Sequence, residues 1–146
     1  MEIEDWLTAP VMFAALTVAQ IFHSLEEIIT GLYKKLPIVT GRLHDLFDFV
    51  PQLRISRMGF ALANAVLVTF MLTISILLFR RVPWATRVAR AVAFAEILNG
   101  AAHLAIAIIR RGYFPGAVSA IGLVIFGVLF FREDSLDRVL SELERL

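Results

Sequence analysis

Apolar residues along this chain gather in four long runs, approximately Ala9–Tyr33, Met58–Phe79, Val88–Ile109 and Tyr113–Phe131. Each is near the roughly 20 residues that a helix needs to cross about 30 Å of hydrocarbon. Short connections between them predict an all-α, four-helix transmembrane bundle in up-down order, a single integral membrane domain over residues 1–146. Two amphipathic stretches lie outside these runs. Leu43, Leu46, Phe47, Val50 and Leu53 repeat at helical spacing while His44, Asp45, Asp48 and Gln52 take other faces, which predicts an interfacial helix or lid over about 38–54, bracketed by Pro37 and Pro51. After the fourth run, Leu136, Val139, Leu140 and Leu143 form a stripe on a charged C-terminal helix, about 133–146. The plain expectation is a solvated tail, and the same stripe suits headgroups or a second copy in a homo-oligomer.

Composition agrees with this pattern. A hydrophobic share of 59% and a mean hydropathy of +0.79 stand above the roughly 45–50% apolar usage of soluble domains. A net charge of +1 gives no reason to expect nucleic acid. Without cysteine there is no disulfide, thiolate ligand or thiol nucleophile. The acidic start Met-Glu-Ile-Glu-Asp is unlike a signal-peptide n-region, so the first helix is expected to stay in the mature protein. The 14 Lys and Arg divide evenly between the two sides, which leaves the chain unoriented. Trp6, Tyr33, Trp84 and Tyr113 sit at run ends, where aromatic side chains anchor helices at the interface.

The first run is interrupted by His23-Ser-Leu-Glu26-Glu27. An ionisable side chain at a bilayer centre costs roughly 2.5–3.5 kcal/mol on insertion scales, so such a group persists with partners and usually for function. On a helix, Glu27 lies about 40° and Glu26 about 60° to either side of His23, with Gln20 about 60° round on the Glu27 side. In the third run Glu96, Asn99 and His103 also share a face. The two stripes are each other's obvious partners. Glu27 and His103 both lie about 10 Å inward from the basic residues that end their helices, as does Asn64, with Ser119 at a similar depth and His23 and Glu96 deeper. Small residues such as Gly100, the pair Ala61 and Ala65, and the pair Gly116 and Ala120 permit close helix approach around that level.

His23-Ser-Leu-Glu26-Glu27 resembles the signature of the HXXEE-domain family of small bacterial membrane proteins. Asn64 in Ala-Asn-Ala-Val, Asn99-Gly-Ala-Ala-His103-Leu, and Arg110-Arg-Gly-Tyr113-Phe-Pro115-Gly116-Ala-Val-Ser119-Ala follow in the same order. The resemblance covers the whole membrane region and implies a multi-pass, four-helix protein of the bacterial inner (plasma) membrane, without naming a reaction. Gly112 is an extra residue before Tyr113, and Glu96 is not a family position.

Imidazole and carboxylate together are ligands for zinc, iron or manganese. His23 and Glu27 at i and i+4, joined by His103, are the expected metal ligands and leave one position open for water. Glu26 and Glu96 are the candidate general base or outer-shell partners, and Asn64 and Asn99 are candidates to orient ligands or substrate. A dinuclear carboxylate site is a further arrangement, with Asp45 or Asp48 completing the set. The expected function is a metal-dependent membrane enzyme, a hydrolase or an oxidoreductase, acting on a lipid or another apolar small molecule. The alternative is a non-catalytic protein that binds haem or a small ligand, or conducts protons or cations, through the same cluster. The remaining polar residues have milder readings. Arg110 and Arg111 are headgroup-level charges near the site's mouth, His44 is a solvated loop residue, and Pro115-Gly116 shapes the start of the last helix.

Overall fold

The computed structural model describes residues 8–143, with side chains as far as 136. Trp6 and the side chains of Val139, Leu140 and Leu143 lie outside the described residues. Five helices follow one another, α1 (Thr8–Thr30), α2 (Leu32–Leu46), α3 (Arg57–Phe79), α4 (Pro83–Ile109) and α5 (Ala117–Leu143), and the described residues contain no strand.

The helix boundaries follow local chemistry. Gly31 takes the left-handed conformation, φ 75°, which ends α1 and lets α2 start at once in a new direction. Ser56 caps α3 by accepting a hydrogen bond from the Gly59 amide at 3.1 Å. Pro83 stands in the first turn of α4, where its missing N–H costs nothing.

The interfacial segment differs from expectation at both ends. The helix begins at Leu32 rather than near residue 38, carries Pro37 inside it, and stops at Leu46. Pro37 is the sixth residue of α2, inside the helix, where it removes an intrahelical hydrogen bond, and the helix runs through it nonetheless. Past Leu46 the chain folds back along α2 and is tied to it twice. His44 Nδ1 donates to the Val50 carbonyl at 2.8 Å, and the Leu53 amide donates to Thr40 Oγ1 at 3.0 Å. His44 is therefore a loop staple, and Asp45 and Asp48 are exposed.

The expected fourth span also changes. Tyr113–Gly116 form a turn, so α5 starts at Ala117, and its uncharged stretch ends at Phe131 before Arg132, Glu133 and Asp134. That stretch rises about 22 Å, short of the roughly 30 Å hydrocarbon layer. Among the described residues three helices, α1, α3 and α4, are long and apolar enough to cross a membrane, rather than four. Nor does a separate C-terminal helix start near 133, because α5 continues through that position to Leu143. Asp134 on this continuation takes a bidentate pair of hydrogen bonds from Arg90 of α4, at 2.9 and 3.1 Å.

α5 packs along both α1 and α4, α3 packs against the same two helices, and α1 and α4 touch little. α1 and α4 thus face each other across the interior, the arrangement that brings their polar stripes together. One half of that interior is dry, built on Phe13, Leu16, Met71, Ile74, Leu123 and Phe130. Outward, Phe22, Ile29, Leu62, Val66, Leu98 and Ile108 are exposed. An apolar exterior of this extent suits hydrocarbon rather than water.

Contact between α4 and α5 depends on Gly100, where a Cβ would stand 2.8 Å from the Ala120 carbonyl oxygen. Alanine gains up to about 1 kcal/mol over glycine in helix propensity, but a backbone oxygen cannot swing aside, and overpacking costs about 1–3 kcal/mol. Gly100→Ala is expected to lower unfolding stability in detergent by about 1 kcal/mol or more; an unchanged or raised stability would refute this packing.

Candidate metal centre

His23 and Glu27 stand one turn apart on the inner face of α1, so that His23 Nε2 lies 3.2 Å from Glu27 Oε1. His103 reaches the same oxygen from α4, its Nε2 also at 3.2 Å. All three side chains are buried, and one candidate ligand atom from each lies within 4.8 Å of the others. The imidazole rings are nearly perpendicular, at 81°.

Hydrogen bonds on the far side of each ring decide where its proton sits. His103 Nδ1 lies 2.6 Å from the Pro115 carbonyl oxygen, which only accepts, so Nδ1 carries the hydrogen. His23 Nδ1 lies 3.0 Å from Ser119 Oγ, and that hydroxyl gives its single hydrogen to Glu26 Oε2 at 2.5 Å, so His23 Nδ1 donates as well. The Asn99 amide nitrogen, another donor, stands 3.4 Å from His23 Nε2 and agrees with a bare Nε2 there. Each ring thus turns its Nε2 toward Glu27, and in a neutral ring that atom carries a lone pair.

With both rings neutral, three acceptors converge with no hydrogen between them. A proton on Glu27 or on one ring would serve one of the 3.2 Å contacts and leave the other. Protonating both rings would place two imidazolium ions beside one carboxylate in an apolar interior. A single divalent cation satisfies all three atoms at once. Ligand atoms about 2.0–2.1 Å from a tetrahedral ion stand about 3.3 Å from one another, close to the two separations from Glu27, while the set as a whole lies within 4.8 Å.

The turn before α5 completes the surroundings. Gly116 has φ 86°, and a Cβ on it would lie 2.7 Å from His103 Nδ1 and 2.8 Å from His23 Cε1. Only glycine lets this backbone lie against both rings. Phe114, also buried, packs against the His103 ring with centroids 5.5 Å apart.

The other expected site residues separate. Glu26 turns away from the centre to the start of α5, where it accepts from the Ser119 amide at 2.8 Å, the Val118 amide at 3.3 Å and the Tyr113 hydroxyl at 2.7 Å. It caps that helix and, through Ser119, holds His23. Glu96 is buried and joined to the centre through Asn99, whose Nδ2 lies 3.4 Å from Glu96 Oε2. Asn64 bonds Ser24 instead, accepting from its hydroxyl at 2.8 Å, and Gln20 Nε2 donates to the same hydroxyl at 3.2 Å. Asp45 and Asp48 stand outside the converging group, which among the described residues consists of His23, Glu27 and His103.

Pro115, Gly116 and Tyr113 were not expected to act at the site, and Ser119 was expected at its level without a role. Tyr113 is exposed, as an interface anchor would be, but desolvation first and its bond to Glu26 second hold its phenol above the usual range, so it stays a donor. The available signal was the depth of Ser119 and the Tyr113–Ser119 motif itself.

The family described as protein of unknown function with HXXEE motif matches residues 14–131, so the chain belongs to that family. No curated protein and no solved structure matches the chain significantly.

Two measurements check the geometry. In ¹⁵N spectra of the metal-free protein, His23 and His103 are expected as Nδ1–H tautomers, and an Nε2–H form at either ring would break the assignment. Gly116→Ala is expected to cost at least about 1–2 kcal/mol from the left-handed backbone alone and to displace both rings; unfolding equal to that of the parent chain would refute the close approach.

Proposed function

We propose that this HXXEE-family member is a multi-pass membrane enzyme that holds one divalent metal ion on His23, Glu27 and His103 and acts on a lipid or another apolar small molecule. The observation that carries this reading is the convergence of two imidazole Nε2 atoms on one carboxylate oxygen, both at 3.2 Å. Two His and one carboxylate are a three-ligand set with which catalytic zinc sites keep a position open for water, and the same set serves non-haem iron. Bound there, zinc would supply an activated water for hydrolysis, and iron or manganese would supply oxidation chemistry.

The protein's own groups have separable tasks. The Pro115 carbonyl and the Ser119 hydroxyl fix the ring orientations, as outer partners of metal-bound histidines do. Asn99 lies between His23 and Glu96, so Glu96 is the proposed general base and Asn99 the residue that orients it. Glu26 and Asn64 set the positions of α5 and α3 around the centre. In the bilayer, proposed to be the bacterial inner membrane, α5 together with its preceding turn forms the fourth member of an up-down bundle. The apolar exterior at the level of the site supports a lipophilic substrate.

Other roles for the cluster have less support. A haem held between the two histidines would need the space that Glu27 takes, since its carboxylate oxygen is in contact with both Nε2 atoms. A proton or cation path would have to pass Phe13, Met71, Ile74, Leu123 and Phe130, all buried and apolar.

Full-length protein stripped with chelator and given equimolar zinc or iron is expected to keep about one ion per chain and to melt at a higher temperature. His103→Ala and Glu27→Ala are each expected to weaken retention by at least about 100-fold, the loss of a ligand exceeding the roughly 10–100-fold loss of an outer partner. Near-zero retention in the parent chain, without a thermal shift, would sink the proposal.

A further inference from the structure

α1 ends, α3 starts and α4 ends on one side of the bundle, the side nearer Glu27 and His103, and α2 with its return loop lies there as well. Seven Lys and Arg fall at this end, against two exposed acids, Asp45 and Asp48. Lys34, Lys35 and Arg42 stand on α2, Arg54 and Arg57 at the start of α3, and Arg110 and Arg111 just past the end of α4. Among the described residues none of the seven is in an ion pair. Lys34 and Lys35 instead lie over the rings of Tyr33 and Phe114, 5.7 and 5.6 Å from the centroids. At the opposite end Arg90 pairs with Asp134 and Arg132 with Glu133. There the chain supplies carboxylates to two of its own arginines; here it supplies none.

The same segment is apolar where it is not charged. The inner face of α2, with Leu32, Leu36 and Val39, packs with Phe60, Phe114 and Ala117 over the end of the bundle. Its outward side and the loop after it expose Ile38, Leu46 and Phe49 at 62%, 73% and 85%, beside the cations. Because α1 is long and apolar enough to cross a membrane, and α2 starts directly after it, this surface lies where hydrocarbon gives way to headgroups. A segment that offers apolar side chains to the acyl boundary and Lys and Arg to the plane above it fits that boundary and an anion within it. An acidic protein surface in water would leave those apolar side chains uncovered, and a second copy would bring like charges together.

We infer that α2, its return loop and the start of α3 form a docking surface for anionic phospholipid headgroups, whose phosphates meet Lys34, Arg42, Arg54 and Arg57. The guanidinium groups offer paired donors to phosphate oxygens. Each cation near a negatively charged membrane surface adds an attraction that salt screens. This surface is formed by exposed residues, separate from the buried His23, Glu27 and His103, and it does not depend on a metal there.

The test uses the full chain in phosphatidylcholine vesicles holding traces of spin-labelled phosphatidylglycerol or, in parallel, spin-labelled phosphatidylcholine. The protein-bound fraction is read by electron paramagnetic resonance on chelator-treated protein, so the result is independent of metal. Phosphatidylglycerol is expected to bind several-fold more strongly at low salt, and this preference to fall toward one at about 1 M salt, where the screening length is about 3 Å. Lys34→Gln with Arg42→Gln, and separately Arg54→Gln with Arg57→Gln, are each expected to at least halve the preference. Arg80→Gln with Arg87→Gln removes the same charge at the opposite end and is expected to change it far less. Equal binding of the two lipids, or equal losses from both ends, would overturn the surface. Displacement of the labelled lipid by millimolar inorganic phosphate at constant ionic strength would make it a site for a free anion and overturn the lipid assignment.

Discussion

A carboxylate cannot be left alone in an apolar interior, and Glu27 is where this chain meets that constraint. Taking an ion out of water costs several kcal/mol even after relaxation, so everything around Glu27 has to return that energy. A cation shared with His23 of the same helix and His103 of the helix opposite, as proposed for this centre, would do so. The two helices touch little elsewhere, which makes this contact the link across the interior. α5 fills the gap on one side and contributes the turn that holds both rings from behind. The packing of small residues at Gly100, Ala120 and Gly122 permits that approach, since α5 must lie close to both α4 and α1 for its turn to reach the rings.

Much of this was legible in the chain because it depends on period and depth. A spacing of four residues places His23 and Glu27 together whatever the surroundings, and counting inward from the basic ends of two parallel helices puts His103 at the same level. Family membership over residues 14–131 was legible for the same reason, as it is carried by residues in those four patches. What the period does not fix is the direction of neighbours. Glu26 and Glu27 are about 100° apart, and from sequence both fall on one broad stripe. The structure places Glu27 against the two imidazoles and Glu26 against the amides of α5, because that helix start presents its donors on one side of α1 and His103 of α4 stands on the other.

Helix ends were the less legible part. A run of apolar residues does not distinguish turn from helix, so Tyr113–Gly116 read as the start of a span although Gly116 is left-handed and Phe114 and Pro115 are packed at the site. Pro37 read as a boundary, whereas α2 begins five residues before it and runs through it. Likewise Arg132-Glu133-Asp134 marked the end of an apolar run, but charge does not end a helix, and Arg90 gives Asp134 a partner beyond that point. In each case the deciding term was a local contact rather than a pattern.

The turn from Tyr113 to Ser119 therefore does more than connect two helices. Its carbonyl at Pro115 holds one imidazole, its serine holds the other, and its tyrosine binds the glutamate that anchors the serine. Hydrogen-bond donors and acceptors alternate along this path, Tyr113 and Ser119 to Glu26 and His23 to Ser119, so reversing any one of them would leave two acceptors or two donors in contact. That consistency turns His23 Nε2 toward Glu27, and the Pro115 carbonyl turns His103 Nε2 toward the same oxygen.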